Sequence, residues 1–192
     1  MKEMNRREFL TLTGAAVVAL SLAGCGAPSA PPAPAAPAGK EAELLAAINN
    51  VWKEKHALGL VDYEQLTFNQ DAVGTIRAYG RVFENANETP HKLKDSDNKI
   101  IFGELDGLED KIRNKYGKDS LAGMAGISEP STEREVALEC KYSCEDTAVR
   151  AFVEELLTSN SNSSKAEYIS IYLPVVKNVT YMTAVVFRNN NP

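Results

Sequence analysis

The chain contains two histidines, three cysteines and one tryptophan among 192 residues, and each scarcity narrows the chemistry open to it. Imidazole is available only at His56 and His91. No cysteines stand in C-x-x-C spacing, the usual mark of a redox pair. No serine sits in a G-x-S-x-G elbow, so an activated hydroxyl has no recognisable frame. Basic side chains are in deficit, 21 against 26 acidic, for a net charge of −5; this argues against nucleic acid or anionic lipid as an electrostatic partner. The apolar stretch Gly14–Ala23 is ten residues long and includes Ser21, half of the about 20 needed to span a bilayer. "ELDGLEDK" is rich in acids but lacks the register of a calcium loop, and reads as a solvated helix face.

The first residues nevertheless carry a message. A basic start (Lys2, Arg6, Arg7), a short apolar segment and a small-residue exit form the three-part shape of an export signal. Arg6-Arg7-Glu8-Phe9-Leu10 resembles a twin-arginine export signal, with Asn5 and Thr11 departing from its usual flanks. Leu22-Ala23-Gly24-Cys25 resembles a bacterial lipobox. That resemblance implies lipid on the Cys25 sulfur, and cleavage that makes Cys25 the new N-terminus. The expected organisation is a signal peptide over residues 1–24, an anchor and tether over 25–40, and a folded domain over 41–192. In the tether, Ala27–Gly39 holds five prolines in thirteen residues, a composition for extended, semi-rigid chain of about 3 Å per residue. The expected location is the outer side of a cell membrane, and the expected partner there is the bilayer, reached through Cys25.

Cys140 and Cys144 stand in C-x3-C spacing. Outside the cytoplasm an even pair points to a disulfide, which here requires the backbone to turn between the two residues; a reduced, buried pair is the alternative. No histidine lies near enough in sequence to complete a zinc site, and no metal or cofactor is expected.

Helical spacing marks Glu41–Leu58 (Leu44, Ile48, Val51, Trp52), about Asp71–Glu84 (Ala72, Ile76, Tyr79, Phe83) and a shorter helix through Leu105, Leu108, Ile112 and Tyr116, ending at Gly117. "DSLAGMAGISEPST" reads as loop. "EVALECKY" suits a strand and "CEDTAVRAFVEELLTS" a helix. "EYISIYLPVV" and "VTYMTAVVF" flank Lys177-Asn178 as a hairpin. The mixture predicts an α+β fold with helices layered on an antiparallel sheet and a C-terminal β-hairpin.

The order of these pieces resembles the CAP domain, the family of cysteine-rich secretory proteins, antigen 5 and class 1 pathogenesis-related proteins. "ELLAAINNVWKEKHALGLVDYEQLTFNQDAVGTIRAYGRVFENANETPH" is similar to the family's opening. There a helix, a turn leucine and an Ala-rich helix precede a histidine about twenty-five residues after the leucine, an interval matched by Leu66 to His91. "EVALECKYSCEDTAVRAFVEELLTS" and the two closing strands resemble its later block, in which a glutamate-bearing strand leads into a helix. The resemblance implies an α-β-α sandwich with a cleft of two histidines and two acids. His91 matches the first histidine and Glu135 the strand glutamate, while Asp97 or Glu104 would supply the other acid. Asn162 or a neighbour stands where the second histidine belongs.

Each cleft candidate has a plainer reading: His91 as a structural histidine and Glu135 as a solvated charge at a strand entry. Trp52 and Tyr79 sit on apolar stripes and read as core. Asn87, Asn162 and Asn178 match glycosylation acceptors, which a bacterial lipoprotein signal makes coincidental. Two functions remain in play. One is a binding module for an envelope component, a small apolar ligand or a protein. The other is a hydrolase of peptide or cell-wall substrates using His91 and Glu135, a pair able to shuttle a proton only if the two converge. A two-lobed solute-binding protein would need a longer chain.

Overall fold

The computed structural model describes residues 36–128 and 135–191. Arg6, Arg7, Cys25 and the expected signal peptide lie outside the described residues. The elements run α1 (Lys40–Ala57), β1 (Thr67–Phe68), α2 (Val73–Ala86), β2 (His91–Lys92), α3 (Asp95–Leu105), α4 (Leu108–Tyr116), β3 (Leu121–Ala125), β4 (Ile127–Ser128), β5 (Glu135–Leu138), α5 (Asp146–Thr158), a 3-10 turn (Ser163–Lys165), β6 (Tyr168–Tyr172), β7 (Val175–Val176), β8 (Val179–Thr180) and β9 (Thr183–Phe187). The fold is α+β, as the sequence implies.

The main sheet has the order β1-β6-β9-β3. All five residues of β9 are buried, because helices cover both faces of the sheet. Ala184 and Val186 point to one side, into a core shared with Leu44, Ile48, Val51 and Trp52 of α1 and Val149, Phe152, Val153 and Leu156 of α5. Val185 and Phe187 point to the other, against Ile76 of α2 and Ile112 and Tyr116 of α4. A strand covered on both faces loses the in–out alternation of a half-exposed one, which is why "TAVVF" is apolar throughout. The result is an α-β-α layering. Val82 of α2 also packs on Ile101, bringing α3 alongside.

The β6–β9 pair is antiparallel and continues into β7–β8. That hairpin closes at Lys177 and Asn178, both with positive φ (49° and 63°), the backbone of the type I′ turn that suits strand twist. A smaller antiparallel sheet, β2-β5-β4, stands apart.

Three expectations need correction. The main sheet is mixed, since β1 pairs with β6 in parallel. The single third helix is two: α3 begins ten residues earlier than Leu105, and the chain breaks at Asp106-Gly107 before α4. Of α3 only Asp97 and Ile101 are buried, so one turn's worth of contact replaces the continuous apolar stripe that marks a helix in sequence. Lastly, residues 121–125 and 127–128 are strands, not loop.

The glycine that made "LAGMAG" look like loop serves packing. A Cβ on Gly123 would lie 2.6 Å from Ser159 Oγ and 2.8 Å from the Leu156 carbonyl oxygen, so its absence lets α5 approach β3. Ser159 Oγ then accepts from Met124 N (3.0 Å), just beyond the irregularity between Leu121 and Gly123 in the β3–β9 ladder.

Candidate functional site

His91 lies on β2 opposite Val136 of β5, and Lys92 lies opposite Glu135. Directly paired residues in an antiparallel ladder share a face, and neighbours along a strand alternate. His91 and Glu135 therefore point to opposite sides of the small sheet. The acid–base pair implied by the family resemblance does not form.

His91 is instead buried at 3% exposure between two other carboxylates. Its Nδ1 is 2.6 Å from Glu88 Oε1 and its Nε2 is 2.9 Å from Asp97 Oδ2. A neutral imidazole would turn a lone pair toward one of those oxygens, whereas an imidazolium donates to both. Burial alone would lower the His91 pKa, but the bonds to Asp97 and Glu88 outweigh it and hold the value above the ordinary 6.5. Asp97 shows the mirror effect. Burial would raise its pKa, yet His91 and the Lys94 N–H, which donates to Oδ2 at 2.7 Å, bring it below 3.8. Asp97 thus reaches back across the first turn of α3 and holds its start. Thr89 Oγ1 accepts from Leu138 N (2.8 Å), tying the segment before His91 to β5. The unit staples three elements together, and neither ring nitrogen is left for a substrate.

Of the other cleft candidates, Glu104 faces α2. It accepts from Arg77 Nε (3.0 Å) and Arg81 Nη1 (2.7 Å). Burial would raise its pKa, and the two guanidiniums outweigh burial and lower it. Asn162 precedes the 3-10 turn after α5, where its carbonyl accepts from Lys165 N (3.0 Å), and it does not join His91. Next to it, Ser163 is fully buried and donates to the Ala122 carbonyl (2.9 Å). The serines of that segment are packing elements as well as loop.

Cys140 and Cys144 are not bridged, which corrects the expected disulfide. The backbone does not turn between them at first: Met182 N donates to the Cys140 carbonyl, Tyr142 N donates to the Thr180 carbonyl, and Lys141 pairs with Tyr181. An extended stretch separates residues four apart by about 13 Å, against the about 7 Å limit for a disulfide. Cys140 Sγ instead donates to Glu155 Oε2 (3.5 Å), and burial, with the Glu155 charge, pushes its pKa up to about 12. Such a thiol is inert at neutral pH. Cys144 is exposed and donates to Tyr142 Oη (3.4 Å).

Concavity lies elsewhere. A groove of about 460 Å³ runs between α2 and α4. Val73, Gly74, Leu108 and Ile112 form its apolar floor, and charged side chains of both signs form its walls. At one end Asp71 accepts from Tyr116 Oη (2.6 Å) and from Lys115 Nζ. At the other end stands the Glu104 pair with Arg77. Lys111 lies between them, exposed, on the wall contributed by α4. No motif announces this groove, because it is made by the spacing of two helices; only the i, i+4 series Lys111 and Lys115 on α4 hints at a charged edge. Among the described residues, no group of three or more His, Cys, Asp or Glu side chains is placed to hold a metal ion.

Comparison with family models, curated proteins and solved structures returns no match to this chain.

Proposed function

We propose that the chain is a lipid-anchored protein of the outer membrane face whose folded domain is a binding module, with the α2–α4 groove as its recognition surface. The observation that carries this reading is the state of His91: buried, held between two carboxylates and turned away from Glu135. General acid–base work requires a group able to exchange a proton with substrate, and His91 spends both nitrogens on structure. Hydrolysis through His91 and Glu135 has no geometric support. The α-β-α layering and the order of elements favour a CAP-like domain lacking the second histidine of that family's cleft.

The groove suits a small amphiphilic ligand. Its volume falls within the about 300–1,000 Å³ of small-molecule sites, which combine an apolar lining with a few polar groups. The apolar floor takes an aliphatic or ring body, and the charged walls orient a polar end. A Cβ at Gly74 would already sit 3.1 Å from Leu108 Cδ2, so Gly74→Leu fills the floor. Full-length protein purified from membranes and examined by native mass spectrometry is expected to carry a bound small molecule. Gly74→Leu is expected to weaken its binding about tenfold, the loss of roughly 1.4 kcal/mol, and so to lower its occupancy. Unchanged occupancy in a folded Gly74→Leu protein would remove the groove from the account.

A further inference from the structure

Five large apolar side chains are exposed among the described residues, and three of them, Leu58 (73%), Leu60 (52%) and Tyr63 (43%), fall within six positions of the α1–β1 loop. The loop is rigidly held. Leu58 N donates to the Glu54 carbonyl (3.2 Å) and Leu60 N to the Lys55 carbonyl (3.0 Å). Gly59 supplies the positive φ, 70°, that lets α1 end in this way. Asp62 N donates to the Ser164 carbonyl (2.9 Å), and Val61 is buried in the main core. With Val61 pinned inward, its neighbours are held outward. Lys53 pairs with Glu64 at 3.0 Å and Lys55 pairs with Glu154, while Asp62 stands exposed between Leu60 and Tyr63. The loop is thus an apolar knob that carries one acidic side chain.

We infer that this knob dips into the surface of the bilayer that carries the Cys25 lipid. The inference rests on the lipid-anchor reading. Three side chains cannot supply the about 800 Å² per partner of a stable protein interface, but leucine and tyrosine at a protrusion suit shallow burial among lipid headgroups. The exposed Asp62 and the acidic chain, net −5, select a zwitterionic lipid surface over an anionic one. Reach permits the contact. α1 has 18 residues, so its far end, where the knob sits, lies about 27 Å from the tether junction. The fourteen residues between Cys25 and Lys40 can extend about 43 Å at about 3.1 Å per residue. The domain then lies with its α1–β1 end toward the membrane.

The test uses full-length, lipid-modified chain reconstituted in phosphatidylcholine vesicles that carry a spin-label quencher near the headgroup end of the acyl chain. Trp52 is the chain's single tryptophan and is fully buried, so it contributes a constant background. A reporter is introduced as Tyr63→Trp. The reference is Val175→Trp, half-exposed on the β7–β8 hairpin, which meets the start of α1 through Lys40 Nζ and Thr180 Oγ1 (3.0 Å). Quenching of Tyr63→Trp is expected to exceed that of Val175→Trp at least about threefold, since a side chain seated 5–10 Å into the interface lies at the quencher depth. Adding Leu58→Asp and Leu60→Asp is expected to abolish the difference. Vesicle-bound protein with equal quenching at both positions would overturn the knob and leave the anchor standing. Should the chain fail to stay on vesicles, the anchor reading fails. The knob is then judged by titrating vesicles against Tyr63→Trp, where emission without a blue shift overturns it. A co-purifying protein that shields residue 63 in place of lipid would also overturn it.

Discussion

His91→Ala is expected to destabilise the domain by about 3 kcal/mol, the lower end of what breaking a buried ion pair costs, because Asp97 keeps its buried charge with no cation beside it. For a domain of this length that is roughly 9 °C in Tm, measurable by thermal and urea unfolding. The pH dependence separates this from simple loss of packing. The His91 pKa is raised by folding, so its stabilisation is complete below about 6.5 and is lost as pH rises through the folded value. The pKa values of Asp97 and Glu88 are lowered, so theirs is present above about 4 and is lost as pH falls through the folded values. The gap between wild type and His91→Ala should be widest between about pH 5 and 6.5 and should narrow on both sides. A gap independent of pH would mean that the imidazole is merely filler.

Gly123→Ala is expected to cost about 2 kcal/mol, within the range for overpacked sites. The added Cβ meets the oxygens of Ser163, Ser159 and Leu156. Moving Ser159 loosens its bond to Met124 N, and the Leu156 carbonyl belongs to the backbone of α5. The sign is diagnostic. In a surface loop at ordinary φ the same change would be neutral or would stabilise by about 0.4–1 kcal/mol, through the unfolded state. A stabilised Gly123→Ala protein would return residues 121–125 to the loop that their composition suggests.

That contrast shows where sequence reasoning succeeds and where it stops. α1, α2, α5 and the closing hairpin are legible because each buries a stripe or run long enough to impose a period: Leu44, Ile48, Val51 and Trp52 on α1, and Lys177-Asn178 at a turn that requires positive φ. Strand β3 is hidden because its glycine, Gly123, answers to the neighbouring helix, a requirement written in α5 and in Ser163 rather than locally. Helix α3 is hidden because Ile101 is its one fully buried apolar side chain, the rest of its contact with α2 coming from half-buried Ile100 and Leu105 and from the Glu104 ion pairs, and because it is started by the side chain of Asp97, itself fixed by His91. His91 and Asp97 could be singled out from their positions, but their roles could not. The strand register that turns Glu135 away, and the arrival of Glu88 on the other ring nitrogen, are properties of the folded backbone. The groove between α2 and α4 left no mark beyond the Lys111 and Lys115 spacing on α4, since a gap between helices has no residue of its own.

The most direct measurement is an NMR pH titration of the His91 ring nitrogens in the intact protein. Both His91 nitrogens should carry protons below the midpoint, and the midpoint should lie above the ordinary 6.5. A midpoint at or below 6.5 would return His91 to the role of an available base, and the binding-module reading would lose its foundation.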